Sequence, residues 1–223
     1  MKKIIAFDLD GTLAPSKSAL PDRMGLLISE LLKHYEVCVI SGGMITQFHK
    51  QLLQNLEAAP AELQKLHLMP TCGTQYYLYD IASGAWEVQY AENFTEAEKK
   101  KIIAALQKGA KALSYEEKKV YGDVIEDRGS QITFSALGQE IVSELGEEGL
   151  RLKEAWDPDD VKKNKLRNFV APLIPEFEVR VGGISSVDIT KPGIDKAYGI
   201  GKLLDMLELG KGEVLFIGDR LEE

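Results

Sequence analysis

Two aspartates, Asp8 and Asp10, stand one residue apart in IIAFDLDGTL, residues 4–13, at the end of an apolar run and just before a glycine. On an extended strand two such side chains point the same way, roughly 6 to 7 Å apart, where each carboxylate disfavours ionisation of the other. A hard divalent cation such as Mg²⁺, which takes oxygen ligands, would relieve that repulsion. Asp219, in VLFIGD, offers a third carboxylate after another apolar run. The expected metal ligands are therefore Asp8, Asp10 and Asp219. Such a centre suits phosphoryl chemistry, because the metal also neutralises charge on the transferring group. A carboxylate can attack phosphorus to form an aspartyl phosphate. In that reading Asp8 is the nucleophile, while Asp10 protonates the leaving oxygen and later deprotonates water or an acceptor hydroxyl. Asp-Gly is also a hairpin signal, but the run before it is continuous rather than alternating and a helical segment follows.

Other residues point to a bound phosphate. Gly11, without a side chain, would let backbone N–H groups approach an anion, and Thr12 either holds the loop or touches the ligand. Ser41 and Gly42, in VISGG, stand where a second strand meets a helix; Ser41 reads equally as an N-cap and as a phosphate contact. Lys196, in PGIDKAYGI, falls in the first turn of a helix, where the macrodipole disfavours a cation, so an anion should lie nearby. Lys191 is the competing lysine, in a looser segment before Pro192. Asp219 reads as a metal ligand or as a lone turn residue. His34, His49 and His67 show no ligand spacing, and Lys99 to Lys101 read as a solvated helix face.

The elements that must position these residues alternate in type. KKIIAFDL and EVCVI are continuous apolar runs, as in strands covered on both faces, and RMGLLISELLKHY and MITQFHKQLLQNL have helical spacing. With LHLMP as a third strand, the order implies a parallel sheet with right-handed crossovers. Ligands bind beyond the carboxyl ends of such strands, where Asp8, Asp10, Ser41 and Asp219 converge.

After about residue 75 the pattern changes. QYYLYD and AWEVQYAE suggest an antiparallel hairpin, Thr95 and Glu98 form a capping box, and Asp157 before Pro158 reads as another helix cap. FEVRV and ISSVDI suggest a second hairpin around Gly182 and Gly183. IDKAYGIGKLLDML and VLFIGD then return to the earlier pattern. The expected organisation is an α/β core from residues 1–75 and 187–223, interrupted by an α+β unit over 76–186.

The composition fits a soluble globular chain: 223 residues, 44% hydrophobic and 28% charged, with a net charge of −8 that disfavours nucleic acid and anionic membranes as partners. MKKIIAFD begins like a signal peptide, but Asp8 interrupts the apolar region. Cys38 and Cys72 read as small buried residues rather than a disulfide framework. The expected compartment is the cytoplasm.

DLDGT, SGG, GIDK and GD stand in the order and approximate spacing of the four motifs of the haloacid dehalogenase (HAD) superfamily of phosphotransferases, which this chain resembles. The middle unit looks like the cap of class IIB members (C2-type), inserted in a Rossmann-like core. The likeness to eukaryotic-type phosphomannomutases runs through RGSQITFSALG and VGGISSVDITKPGIDKAY. The resemblance implies Asp8 as nucleophile, Asp10 as acid/base, Ser41 and Lys196 as phosphate holders and Asp219 as a Mg²⁺ ligand. It places Arg128, Ser186 and Asp188 near a sugar or its distal phosphate.

Three departures bear on function. Gln139 stands where the mutases have arginine, which weakens the hold on a second phosphate and favours hydrolysis. Ser41 replaces their usual glycine. The sequence ends after GDRLEE where the family continues with an Asn-Asp pair, a strand and a helix; a shortened form is expected, the other reading being that Glu222 or Glu223 substitutes for the missing acid. The expected function is a Mg²⁺-dependent phosphatase acting on a small phosphorylated sugar or related metabolite, with its cap closing over the substrate. The alternatives are a phosphomannomutase and a catalytically weak sugar-phosphate binding protein. Association into a homodimer is left open.

Overall fold

The computed structural model describes residues 2–15 and 18–219, so Glu222 and Glu223 lie outside the described residues. The chain divides into two compact units, residues 1–92 with 194–223, and residues 93–193.

The first unit opens with β1 (Ile4–Asp8), α1 (Asp22–Leu32), β2 (Glu36–Ile40), α2 (Ile45–Gln51), the short α3 (Pro60–Leu63) and β3 (Leu66–Met69). The three strands are parallel and in line, with Asp8 opposite Ile40 and Ile40 opposite Met69. Ile4, Ala6, Val37 through Ile40, Leu66, Leu68 and Met69 are completely buried, which is why these runs are mostly apolar; the exception inside β3 is His67, whose buried ring pairs with the Tyr76 hydroxyl at 2.7 Å. β4 (Gln75–Asp80) and β5 (Ala85–Ala91) form the first expected hairpin. It does not open the inserted unit: β4 pairs antiparallel with β3 and extends the core sheet. The cause is burial, since Tyr76, 1% exposed, packs with Cys38, Ile40 and Met69.

The second unit contains α4 (Glu96–Ala112), β6 (Ile125–Asp127), β7 (Gln131–Ser135), α5 (Ile141–Leu145), α6 (Glu147–Trp156), α7 (Val161–Val170), β8 (Glu178–Gly182) and β9 (Ser186–Thr190). Its antiparallel sheet runs β6-β7-β9-β8. Ile132, Phe134, Val187 and Ile189 pack with Ile102 and Leu106 of α4 and Leu166 and Val170 of α7. Thr95 and Glu98 make the expected capping box. Asp157 ends α6, and its carboxylate reaches forward to accept the N–H groups of Lys162 and Lys163 at 2.8 and 2.9 Å. It thus caps α7 from outside the N-cap position, which Asp160 occupies. The division after Gly193, rather than after residue 186, follows from pairing: β9 is bonded on both sides, to β7 and β8.

The chain returns to the first unit with α8 (Lys196–Met206) and β10 (Val214–Ile217), which pairs parallel with β1. The core sheet is β10-β1-β2-β3-β4-β5, parallel through its first four strands. Two glycines seat α8. A Cβ on Gly199 would lie 2.8 Å from the Cys72 carbonyl oxygen and 2.9 Å from Gly73 Cα, and one on Gly73 would lie 2.4 Å from Gly199 Cα. Cys38 is buried whereas Cys72 is partly exposed, and both are free thiols. Among the described residues no helix is long and apolar enough to cross a membrane.

Candidate active site

Asp8 is the last residue of β1 and only 7% exposed. One carboxylate oxygen accepts the Leu9 N–H at 2.8 Å and the other pairs with Lys196 Nζ. Burial pushes the Asp8 carboxyl above its usual range, helped by the charge of Asp219; Lys196 and the Leu9 N–H oppose the rise without cancelling it. Lys196 is the first residue of α8, whose N-cap Asp195 accepts the Tyr198 N–H at 2.7 Å. The anion that reconciles a lysine with this helix end is thus the Asp8 carboxylate. Lys191 lies in the second unit, near Glu98.

Asp219 reaches the same place from the end of β10. A Cβ on Gly11 would meet its Oδ2 at 2.7 Å, and one on Gly218 would sit 3.7 Å from Asp8 Cβ. Gly11 also makes room for this carboxylate. Its φ of 82° and its bare α-carbon admit the Asp219 carboxylate, while its N–H donates to the Ala14 carbonyl at 2.8 Å. Next to it, Thr12 Oγ1 is buried and makes no hydrogen bond.

Asp10 is held differently. Its two oxygens accept the side-chain amides of Gln47, at 3.1 Å, and Gln51, at 3.2 Å, both on α2. No group of three or more His, Cys, Asp or Glu side chains among the described residues is placed to hold a metal ion. The expected set of three carboxylates is not assembled: Asp8 and Asp219 are neighbours, and the Asp10 carboxylate is engaged by amides.

Ser41, 2% exposed, follows β2. Its Oγ accepts the Gly43 N–H at 3.2 Å. It is not the N-cap of α2, which starts at Ile45 after Met44. The Ser41 carbonyl accepts the Cys72 N–H at 2.9 Å, and the Gly43 carbonyl accepts the Thr71 N–H at 3.0 Å. The loop after β2 is thus tied to the loop after β3, where Thr71, Cys72 and Gly73 have φ of 49°, 56° and 82°. A Cβ on Gly42 would be 3.9 Å from Cys72 Sγ.

In the second unit, Arg128 Nε donates to Glu126 at 2.6 Å and its Nη2 to Gln139 Oε1 at 3.4 Å. Asp188 accepts the Thr133 hydroxyl at 2.7 Å. Ser186 and Asp188 both flank Gly182, where a Cβ would lie 3.0 Å from Ser186 Oγ and 2.1 Å from Asp188 Oδ2. The register Glu126–Thr133–Asp188 puts these residues on one sheet face, opposite the core-facing Phe134 and Val187.

A family model for haloacid dehalogenase-like hydrolases matches residues 5–222. The chain belongs to that family. Like its relatives in the HAD group, it is an enzyme of the phosphatase and phosphotransferase type. It is 23% identical over 232 aligned residues to a phosphomannomutase of Encephalitozoon cuniculi (strain GB-M1), an alignment covering 100% of this chain and 81% of that protein. Among solved structures it resembles the N-terminally truncated, IMP-bound IMP-nucleotidase of Plasmodium falciparum, with a TM-score of 0.63 and 14% identity over 98% of this chain. The chain spans 59% of that nucleotidase. A HAD subclass IIB sugar phosphatase gives a TM-score of 0.59 with 16% identity, covering 98% of this chain and 81% of that one. At these identities the structures share the HAD fold.

Sequence reading missed Gln47, Gln51 and Glu126. The two glutamines are four apart on a helix directly after SGG, a spacing that puts them on one face. Glu126 stands two residues before Arg128, so its side chain points the same way.

Proposed function

We propose that this HAD enzyme is a Mg²⁺-dependent phosphatase acting on a small phosphorylated sugar, with Asp8 as nucleophile. The observation that carries the reading is the Asp8–Lys196 pair at the carboxyl end of β1. A buried carboxylate held beside a cation at a helix N-terminus combines a nucleophile with a charge that offsets an incoming phosphoryl group. An Asp8 oxygen attacks phosphorus as the ester P–O bond breaks, and the leaving oxygen takes a proton from Asp10. Water then attacks the aspartyl phosphate and gives a proton to Asp10. The Asp8–phosphorus bond breaks, releasing inorganic phosphate and the free carboxylate. The buried Thr12 hydroxyl and the loop of Ser41 and Gly42 are the proposed phosphate contacts. The adjacent carboxylates of Asp8 and Asp219 suit a hard cation; bound there, Mg²⁺ would offset negative charge on the carboxylates and on the transferring group.

The phosphomannomutase relative supports a second reading, in which the acceptor is a sugar hydroxyl. Against it stands Arg128, which the Glu126 carboxylate already neutralises and which faces Gln139 rather than a second cation. The test is incubation with mannose 1-phosphate, Mg²⁺ and a hexose bisphosphate. The phosphatase reading predicts free phosphate, lost in Asp8→Asn. Accumulating mannose 6-phosphate establishes the mutase, and calorimetric binding without turnover establishes a sugar-phosphate binding protein.

A further inference from the structure

Asp10 is fixed by a part of the fold that the reaction scheme leaves without a role. Gln47 and Gln51 are one turn apart on α2 and each donates to a different oxygen of the Asp10 carboxylate, at 3.1 and 3.2 Å. The two amides are joined to each other, Gln47 Nε2 donating to Gln51 Oε1 at 2.5 Å. Each is also anchored. A Cβ on Gly43 would lie 2.2 Å from Gln47 Oε1, so this glycine admits the amide oxygen and leaves Nε2 facing Asp10. Gln51, 3% exposed, also donates to the Ser18 carbonyl at 2.9 Å, and its own carbonyl accepts the Leu20 N–H at 2.7 Å. α2 thereby grips the segment on both sides of the loop that follows Asp10.

We propose that Gln47 and Gln51 are positioning residues that aim the Asp10 carboxyl group for its proton transfers, an inference that rests on the phosphatase reading above. The residue type fits the task. Two amide donors fix a carboxylate in plane and in rotation without adding a charge, whereas a lysine or arginine there would form a second ion pair beside the Asp8–Lys196 pair. Positioning matters because proton transfer to the leaving oxygen needs hydrogen-bond reach, and small displacements are costly.

The need for that proton depends on the leaving group, and this separates positioning from a structural role. An alkyl phosphate leaves as a strongly basic alkoxide and requires the proton from Asp10; p-nitrophenyl phosphate leaves as a stable phenolate and does not. We therefore compare kcat/KM for a hexose 6-phosphate and for p-nitrophenyl phosphate in Gln47→Leu, Gln51→Met and the double variant. The expected result is a fall of about 10- to 100-fold on the alkyl ester, part of the full acid–base contribution, with less than about a threefold change on the aryl ester. The ratio of the two constants does not depend on how much of a variant is folded, so partial unfolding of Gln51→Met leaves the test intact. Equal loss on both esters overturns the positioning role. Retention of the wild-type rate by Asp8→Asn overturns the phosphatase reading itself, and the two failures are distinguishable.

Discussion

Asp8 carries opposing demands. Its burial disfavours the charge that its proposed role as nucleophile needs, and Lys196 opposes that penalty. Replacing Lys196 with methionine should lower kcat/KM by about 10²-fold or more, as for loss of a charge-stabilising donor. The stability cost should be only about 1 kcal/mol, because the lysine is about a third exposed and solvent screens the pair. Denaturant titration and steady-state kinetics of the variant check both values. In the metal-free protein the raised Asp8 carboxyl sets a direction: the Asp8–Lys196 pair is lost as pH falls through it, at a higher pH than an ordinary aspartate would require, which titration of the Asp8 carboxyl by NMR without Mg²⁺ checks. At this scale the place of Asp8 at the end of a buried strand was legible from the continuous apolar run before it. Gln47 and Gln51 were not, since an amide pair on a helix looks the same in sequence whether it faces solvent or a carboxylate. Nor was the task of Gly11, which depends on where Asp219 comes to lie.

α8 is the element that delivers Lys196, and its seat depends on the contact between Gly199 and Gly73. Gly199→Ala should push the helix away from the 71–73 turn, costing about 1–3 kcal/mol as an overpacked contact and lowering activity with it. Gly201→Ala, on the same helix with nothing within 4 Å of the added carbon, should instead be neutral or stabilise by about 0.5–1 kcal/mol. Thermal melts of the two variants with an activity assay make the comparison. Burial and the neighbouring Glu92 carboxylate push the phenol of Tyr198, also on α8, up to about 12. The unfolded phenol ionises near 10, so the folded state holds this proton more tightly. Its contribution to stability is complete below pH 10 and is lost as pH rises toward 12. Tyr198→Phe should flatten that part of the stability profile, as read by urea titration at successive pH values. Continuous apolar runs identified the parallel strands, helical spacing identified α1, α2 and α8, and the capping box of Thr95 and Glu98 identified α4. The partner of a strand is less visible: QYYLYD and AWEVQYAE on either side of IASG indicate a hairpin, yet its attachment to β3 follows from Tyr76 filling space beside Cys38 and Met69, which no local pattern encodes.

The whole molecule consists of two units, each with its own core. The ends of the second are tied within it, the Phe94 N–H donating to the Gly129 carbonyl at 2.9 Å and the Gly193 N–H to Glu178 at 3.1 Å. Residues 93–193 expressed alone should therefore fold and unfold cooperatively, as followed by the fluorescence of buried Trp156; a chain without a cooperative transition would contradict an independent core. That an insertion exists was legible from the change of pattern near residue 75, whereas its limits were set by strand pairing, which moved them to 93 and 193. In the proposed reaction of the whole HAD enzyme, the phosphoryl group passes through Asp8. Acid quenching during turnover of a hexose phosphate, followed by peptide mass spectrometry, tests it most directly. The expected result is an alkali-labile phosphoryl group on the peptide containing Asp8, absent from Asp8→Asn. Turnover with the phosphoryl group on another residue, or undiminished turnover in Asp8→Asn, would contradict it.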